Sequence, residues 1–347
     1  MESSDPGREF EYLCVDTFIR TFVDARALAT AFEIGLIDFL VRSGTAPYAS
    51  LERELGTDAA GLRLLFNLLV SNGVVSEQAG SVVLTDPFVR ALAYRDLMRT
   101  KIELGSLAAL DFIDSFQDLI CNPAHFFRES RSTRLYAYGR CLVDTEENRM
   151  QAKRWMKVTT SLTRYEAEVC MKFHDFSHYG CMLDIGGNSG EFALRLCRRH
   201  HSLVATIFDL PVVCAVGREH INNAPEKERI SFVPGDALRD PLPSDFDLVI
   251  FKSMLHDWPD SLARRLIERG CVALKPGGTI LIFERSSFPA DCQSVTFSIL
   301  PFLLFFRSFR SPTFYEECLK SLGFQEIGIQ KIALEMPFSL VCARKPG

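Results

Sequence analysis

Positive charge is in short supply in this chain. Its 39 Lys and Arg stand against 44 Asp and Glu, a net charge of −5 over 347 residues. A nucleic-acid binder usually presents a basic face, so the balance speaks against that class. Paired metal-ligand spacings are missing as well. The eleven cysteines run from Cys14 to Cys342 without one Cys-x-x-Cys pair, and none of the seven histidines stands at zinc-like spacing from a cysteine or carboxylate. No metal is therefore expected, and cysteines scattered in this way read as reduced, mostly buried thiols. Long apolar runs are also absent. The longest uncharged one, residues 292–306, contains Pro301 and falls short of the roughly 18 residues that a membrane span needs. It reads as a core or pocket-lining helix. Residues 1–10 are polar and acidic, without the apolar run of a secretory leader. The expectation is a cytoplasmic protein with no membrane and no nucleic-acid partner.

What is present is a series of apolar strands that end in charge. Cys181 to Ile185 is a short strand, Gly186-Gly187-Asn188-Ser189-Gly190 a turn, and Glu191 to Arg199 a helix. Strand, Gly turn, helix brings backbone close to a polar cofactor at a helix N-terminus. A dinucleotide fingerprint would want Gly where Asn188 stands, which disfavours a nicotinamide oxidoreductase. The strand Val204 to Phe208 ends in Asp209, an acid suited to two ribose hydroxyls. Ile230 to Val233 leads into Gly235-Asp236-Ala237. Asp247 to Phe251 runs into Lys252-Ser253-Met254-Leu255-His256-Asp257-Trp258. After a helix from Ser261 to Leu274 and the tight turn Lys275 to Thr279, the strand Ile280 to Phe283 is closed by Glu284. In open α/β sheets ligands bind at the C-terminal strand ends, so these groups describe one crevice.

Asp184-Ile185-Gly186-Gly187, Phe208-Asp209-Leu210-Pro211, Gly235-Asp236, Lys252…His256-Asp257-Trp258 and Lys275-Pro276-Gly277-Gly278 resemble the S-adenosylmethionine-dependent O-methyltransferases of the caffeate and hydroxyindole type. The resemblance runs over about residues 15–345. It implies a Rossmann-like class I methyltransferase domain over 179–347, behind a winged-helix-like dimerisation domain over 1–100 and a helical connecting region over 101–178 that lines the acceptor pocket. It implies S-adenosylmethionine as methyl donor and S-adenosylhomocysteine as product. Asp184, Gly186 and Gly187 would lie at the methionine part of the cofactor and Asp209 with Leu210 at the ribose. Asp236 with Ala237 would lie at the adenine, and Lys252 at the methionine portion or the adenine edge. Trp258 either packs on the cofactor or fixes the local turn. His256 would be the general base and Glu284 the carboxylate that orients it. The acceptor would be a small aromatic hydroxyl compound, and methylation of ring carbon beside a phenol is the alternative that the same base would serve.

One departure stands out. Many members carry a second Glu before the Arg that precedes the C-terminal helix, and here Phe309 stands before Arg310. That corner should be more apolar. Trp155 and Met156 stand where the family packs a Met on the acceptor, though a core Met on a helix face fits equally. Phe302 and Phe306 suggest an aromatic wall, and Arg307 or Arg310 could pair with an acceptor carboxylate.

The N-terminal region has apolar residues at helical spacing (Phe18, Phe22, Leu28, Phe32). It continues with helical patterns at 50–55 and 58–71 and a β-ribbon of Val74-Val75 with Val82-Val83-Leu84. This winged-helix outline raises a second class, a DNA-binding regulator. The would-be recognition helix, Gly61 to Val70, is largely apolar, which suits burial and not a groove. The region is therefore expected to build a homodimer.

Overall fold

Thr21 opens the first long helix, Phe22–Glu33, through a reciprocal capping box with Asp24. Its inner face is Ala25, Leu28, Ala29 and Phe32, all buried. Gly35, in a left-handed conformation, lets the chain turn directly into the helix Leu36–Ser43. The computed structural model describes residues 10–288 and 295–347. These fall into two units, one of 10–116 with 295–304 and one of 117–288 with 305–347.

In the first unit the helices Tyr48–Leu55 and Ala59–Ser71 follow. A small antiparallel sheet is made of β1 (Thr45–Pro47), β2 (Val75–Gln78) and β3 (Ser81–Leu84), in the order β1-β3-β2. This is the expected winged-helix layout with an extra strand. Three residues ending in proline carry no period, so β1 leaves no sequence pattern. The apolar helix buries Leu62, Leu65, Phe66 and Leu69, as its composition requires. The expected long helix over 292–306 is not formed as one piece. Short turns occupy Phe297–Ile299 and Leu300–Leu303, with Pro301 confined to a first turn, the helical position that tolerates it. Cys292 lies outside the described residues. Phe297 belongs to the first unit, where its N–H donates to the Arg20 carbonyl at 2.7 Å. The helix Arg95–Cys121 runs straight through residue 100 and breaks at Ser115, next to the division between the units.

The second unit is built on seven strands: β4 (Cys181–Ile185), β5 (Val204–Asp209), β6 (Ile230–Pro234), β7 (Phe246–Lys252), β8 (Leu274–Arg285), β9 (Ile327–Ala333) and β10 (Pro337–Arg344). Their order is β6-β5-β4-β7-β8-β10-β9. Strands β4 to β8 are parallel, and β10 runs antiparallel to both β8 and β9. The expected turn at Lys275 to Thr279 lies inside β8 as a bulge: Leu274 pairs with Phe246, but Thr279 pairs with Leu248. Central strands are apolar on both faces, with Leu183, Val249, Phe251, Ile280 and Ile282 all buried in one core with Leu266, Ile267 and Leu319 from the flanking helices. The chain order reverses between β4 and β7, which opens a crevice at the C-terminal strand ends there. Among the described residues no helix is long and apolar enough to cross a membrane, and no group of three His, Cys, Asp or Glu is placed to hold a metal ion.

Candidate active site

The Gly loop after β4 needs its glycines for two different reasons. Gly186 has φ +73°, and a Cβ there would stand 2.5 Å from Met254 Cγ. A Cβ on Gly187 would stand 2.7 Å from the Asp184 carboxyl carbon. Asn188, where a dinucleotide fingerprint has Gly, holds φ +57°. Asn tolerates this left-handed region, and here its side-chain oxygen accepts from the Ser189 N–H at 2.7 Å. Asp209, at the end of β5, closes the loop. One of its oxygens accepts from Asn188 N–H at 2.8 Å and the other from Leu210 N–H at 2.7 Å. Burial pushes its carboxyl up to about 6, against these two bonds. Asp184 is buried, and neither carboxylate oxygen has a hydrogen-bond partner among the described residues. Burial, with the Asp209 charge adding to it, raises Asp184 to about 7.

The other side of the crevice is formed by the segment after β7. Ser253, with φ +48°, turns the chain into a short 3-10 turn, Leu255–Asp257. Glu284, fully buried at the end of β8, binds that turn with both oxygens. Oε1 accepts from the N–H groups of Met254 (2.7 Å) and Leu255 (2.6 Å), and Oε2 lies 2.9 Å from His256 Nδ1. A carboxylate on Nδ1 selects the tautomer protonated there, which leaves Nε2 as the acceptor nitrogen. Asp257 Oδ1 is 3.7 Å from Nε2. The Phe305 and Phe309 rings stand 5.9 and 5.2 Å from the imidazole. Burial alone would push the imidazole down, but the Glu284 and Asp257 carboxylates outweigh it and hold His256 above its ordinary value.

Two family models match the sequence: an O-methyltransferase dimerisation domain over residues 17–100 and an O-methyltransferase domain over residues 123–325. The chain belongs to this O-methyltransferase family. Among curated proteins it is similar to the acetylserotonin O-methyltransferase of Bos taurus, at 26% identity over 96% of this chain and 98% of that one. A shorter match, 37% identical over 36% of this chain and 38% of the relative, is to the 3-hydroxy-5-methyl-1-naphthoate 3-O-methyltransferase of Streptomyces sahachiroi. Among solved structures, human N-acetylserotonin methyltransferase in complex with S-adenosylmethionine superposes with a TM-score of 0.72 at 24% identity, over 94% of this chain and 95% of that one. The protein is an S-adenosylmethionine-dependent O-methyltransferase acting on small molecules.

In this O-methyltransferase the loop chemistry fits that donor. The donor carries positive charge, and a buried carboxylate with two unpartnered oxygens lies directly beneath Gly187. The structure places the other expected site residues less uniformly. Asp236 is turned into its own loop, where it accepts from Leu238 N–H at 2.9 Å and meets Arg239 at 3.4 Å; Ala237 packs at the edge of the sheet core. Lys252 is not left free to reach a cofactor: its ammonium is paired with Glu166 and donates to Thr163 Oγ1 at 2.8 Å. Trp258 packs against the sheet core.

Arg310 is committed to structure: it bonds Asp260 Oδ1 and the Leu255 carbonyl at 2.8 and 2.9 Å, and also the Trp258 carbonyl. It staples both ends of the His256 turn. Arg307 donates to the Leu119 and Ile120 carbonyls and lies over Phe306. Phe306 therefore faces Arg307, and Phe302 is buried in the first unit. The rings at His256 are Phe305 and Phe309 instead. Met156 is core, packed with Val212, Val213 and Cys141. Trp155 belongs to the same cluster but also meets Tyr138 at 5.3 Å and Tyr136 at 6.3 Å. The sequence singles out these two tyrosines only as members of the aromatic connecting region, without a place in the site. Tyr136 stands 6.1 Å from Phe305, and burial with the nearby Asp257 charge pushes the Tyr138 hydroxyl well up. Their only sequence signal was the aromatic richness of residues 101–178.

Proposed function

We propose that this enzyme methylates the hydroxyl of a small phenolic compound, with His256 as general base and Glu284 as the carboxylate that orients it. The observation that carries this is Glu284: one oxygen is fixed by two backbone N–H groups and the other lies 2.9 Å from His256 Nδ1. That is the arrangement that holds an imidazole in one tautomer and stabilises its protonated form. Bound S-adenosylmethionine supplies an electrophilic methyl on a sulfonium sulfur. Asp184, Gly186 and Gly187 would hold its methionine part, Asp209 and Leu210 its ribose, and Asp236 with Ala237 its adenine. Lys252 backs the crevice from the Glu166 side. Nε2 takes the phenol proton as the acceptor oxygen is methylated, and Glu284 and Asp257 steady the charge that forms on the ring. Aromatic side chains around His256 suit a flat acceptor, and the relatives above are named for O-methylation of acetylserotonin and a hydroxynaphthoate.

His256 must be neutral to act, and its folded value is raised. Activity (kcat/KM) is therefore full above that value and lost as pH falls through it, with the acid limb above the ordinary imidazole value of about 6.5. Glu284→Gln removes the larger raising charge. Its limb should move to lower pH, and kcat should fall about 10- to 10²-fold because the amide no longer fixes the tautomer. A panel of phenolic acceptors with a pH profile tests this, and the new methyl appears as O–CH3 by NMR. An acid limb unchanged in Glu284→Gln, or a product methylated on ring carbon, would refute the assignment.

We further propose a homodimer formed by the N-terminal domain. Large apolar side chains stand exposed on this domain, including Phe22, Val41, Val89 and Leu64, the last 61% exposed. A monomer leaves such groups in water at a cost, whereas a second copy covers them. Light scattering should give twice the chain mass at micromolar concentration; a fully active monomer contradicts the assignment.

A further inference from the structure

Glu166 sits within the helix Glu146–Phe173 and is almost inaccessible. One of its oxygens meets Arg285 and the other Lys252. Arg285 also reaches Glu335 at 3.4 Å and Ser253 Oγ at 3.5 Å, and its guanidinium lies 4.6 Å from the Phe338 ring centre. Two carboxylates and two cations are thus buried together. Desolvating four charges offsets most of their mutual attraction, so fold stability alone gives little reason for such a cluster.

Its location gives a better one. Lys252 ends β7, and Arg285 follows Glu284 at the end of β8. Between Lys252 and His256 the chain makes the left-handed turn at Ser253. One carboxylate from a separate helix therefore pins both strand ends that flank the His256–Glu284 pair. We propose that Glu166 is a positioning residue for catalysis, which holds the ends of β7 and β8 so that His256 and Glu284 meet and which neutralises Arg285 behind them. The inference rests on the proposed role of that pair.

The electrostatic side has a definite sign. Facing His256 are Glu284, Asp257, whose charge also acts on Tyr138, Arg285, and the apolar rings of Phe305 and Phe309; Arg310 binds the backbone of the same turn. Burial among these groups pushes the imidazole down first, and of the charges around it Arg285 is the one that also disfavours the protonated form. Without the Glu166 charge, Arg285 acts on His256 less compensated, and the imidazole titrates lower.

The test uses the full-length enzyme with 13C-labelled histidine, the His256 signal being assigned by its loss in His256→Ala. In Glu166→Gln the His256 titration midpoint should fall by about half a pH unit or more. The kcat should fall about tenfold or more, with acceptor KM within about threefold, since misplacing a base costs turnover before binding. Glu166→Asp keeps the charge but shortens the reach, so it should restore the midpoint and not kcat. A wild-type midpoint or a wild-type kcat in Glu166→Gln overturns the proposal. If that variant does not fold, Glu335→Gln removes the other carboxylate on Arg285, and the same downward midpoint shift is required of it. A fully active His256→Ala would instead sink the base assignment, and the midpoint, read on the imidazole itself, then decides alone whether Glu166 governs its charge.

Discussion

His256→Ala lowers turnover by about 10²- to 10⁴-fold at neutral pH, the usual worth of a positioned general base. Cofactor affinity, measured by calorimetry with S-adenosylhomocysteine, stays within about threefold. The reason is spatial. Asp184, Gly186, Gly187 and Asp209 lie on the β4 and β5 strand ends, whereas His256 is carried by the turn after β7 and bonded to β8. Removing the imidazole leaves Glu284 with its two backbone N–H bonds, so the turn keeps most of its support. The residual rate should rise with pH as the acceptor ionises unaided, up to about 10 for an unperturbed phenol. Wild-type turnover at pH 7 would mean that the base lies elsewhere or that the acceptor is already anionic.

Asp209→Ala weakens the cofactor by a factor on the order of 10² or more. Two charge-assisted bonds to ribose hydroxyls are worth roughly 2–4 kcal/mol together. The carboxylate has a second task, since it accepts the N–H groups of Asn188 and Leu210 and so closes the Gly loop onto β5. Alanine leaves both donors unpaired and loosens the loop proposed to hold the methionine part. Asp209→Asn keeps an oxygen for one of those donors and should fall between wild type and alanine. The measurement is calorimetric affinity for S-adenosylhomocysteine, with the circular dichroism of the apoprotein unchanged. An unaltered affinity in Asp209→Ala removes this residue from the site.

The residues proposed for the crevice were picked out by local pattern. Asp209, Lys252 and Glu284 each stand where an apolar run stops, and a run of that length in a parallel sheet stops at the edge where ligands bind. Gly186 and Gly187 were legible as a turn, although only the structure shows that Met254 and the Asp184 carboxyl occupy the space a Cβ would take. Partner choice was not legible. Lys252 pairs with Glu166 on a helix far upstream, and Arg310 is spent on Asp260 and the carbonyls of Leu255 and Trp258. The Asp257 charge acts on Tyr138 across more than a hundred residues of chain. A free arginine and a buried structural one look identical in sequence, because burial and bonding depend on which elements pack together. The single-residue chemistry and its place at the sheet edge were thus set by the chain's local periodicity. Which charges remain available to a ligand, and which are consumed in holding His256 against Glu284, was decided by long-range packing alone.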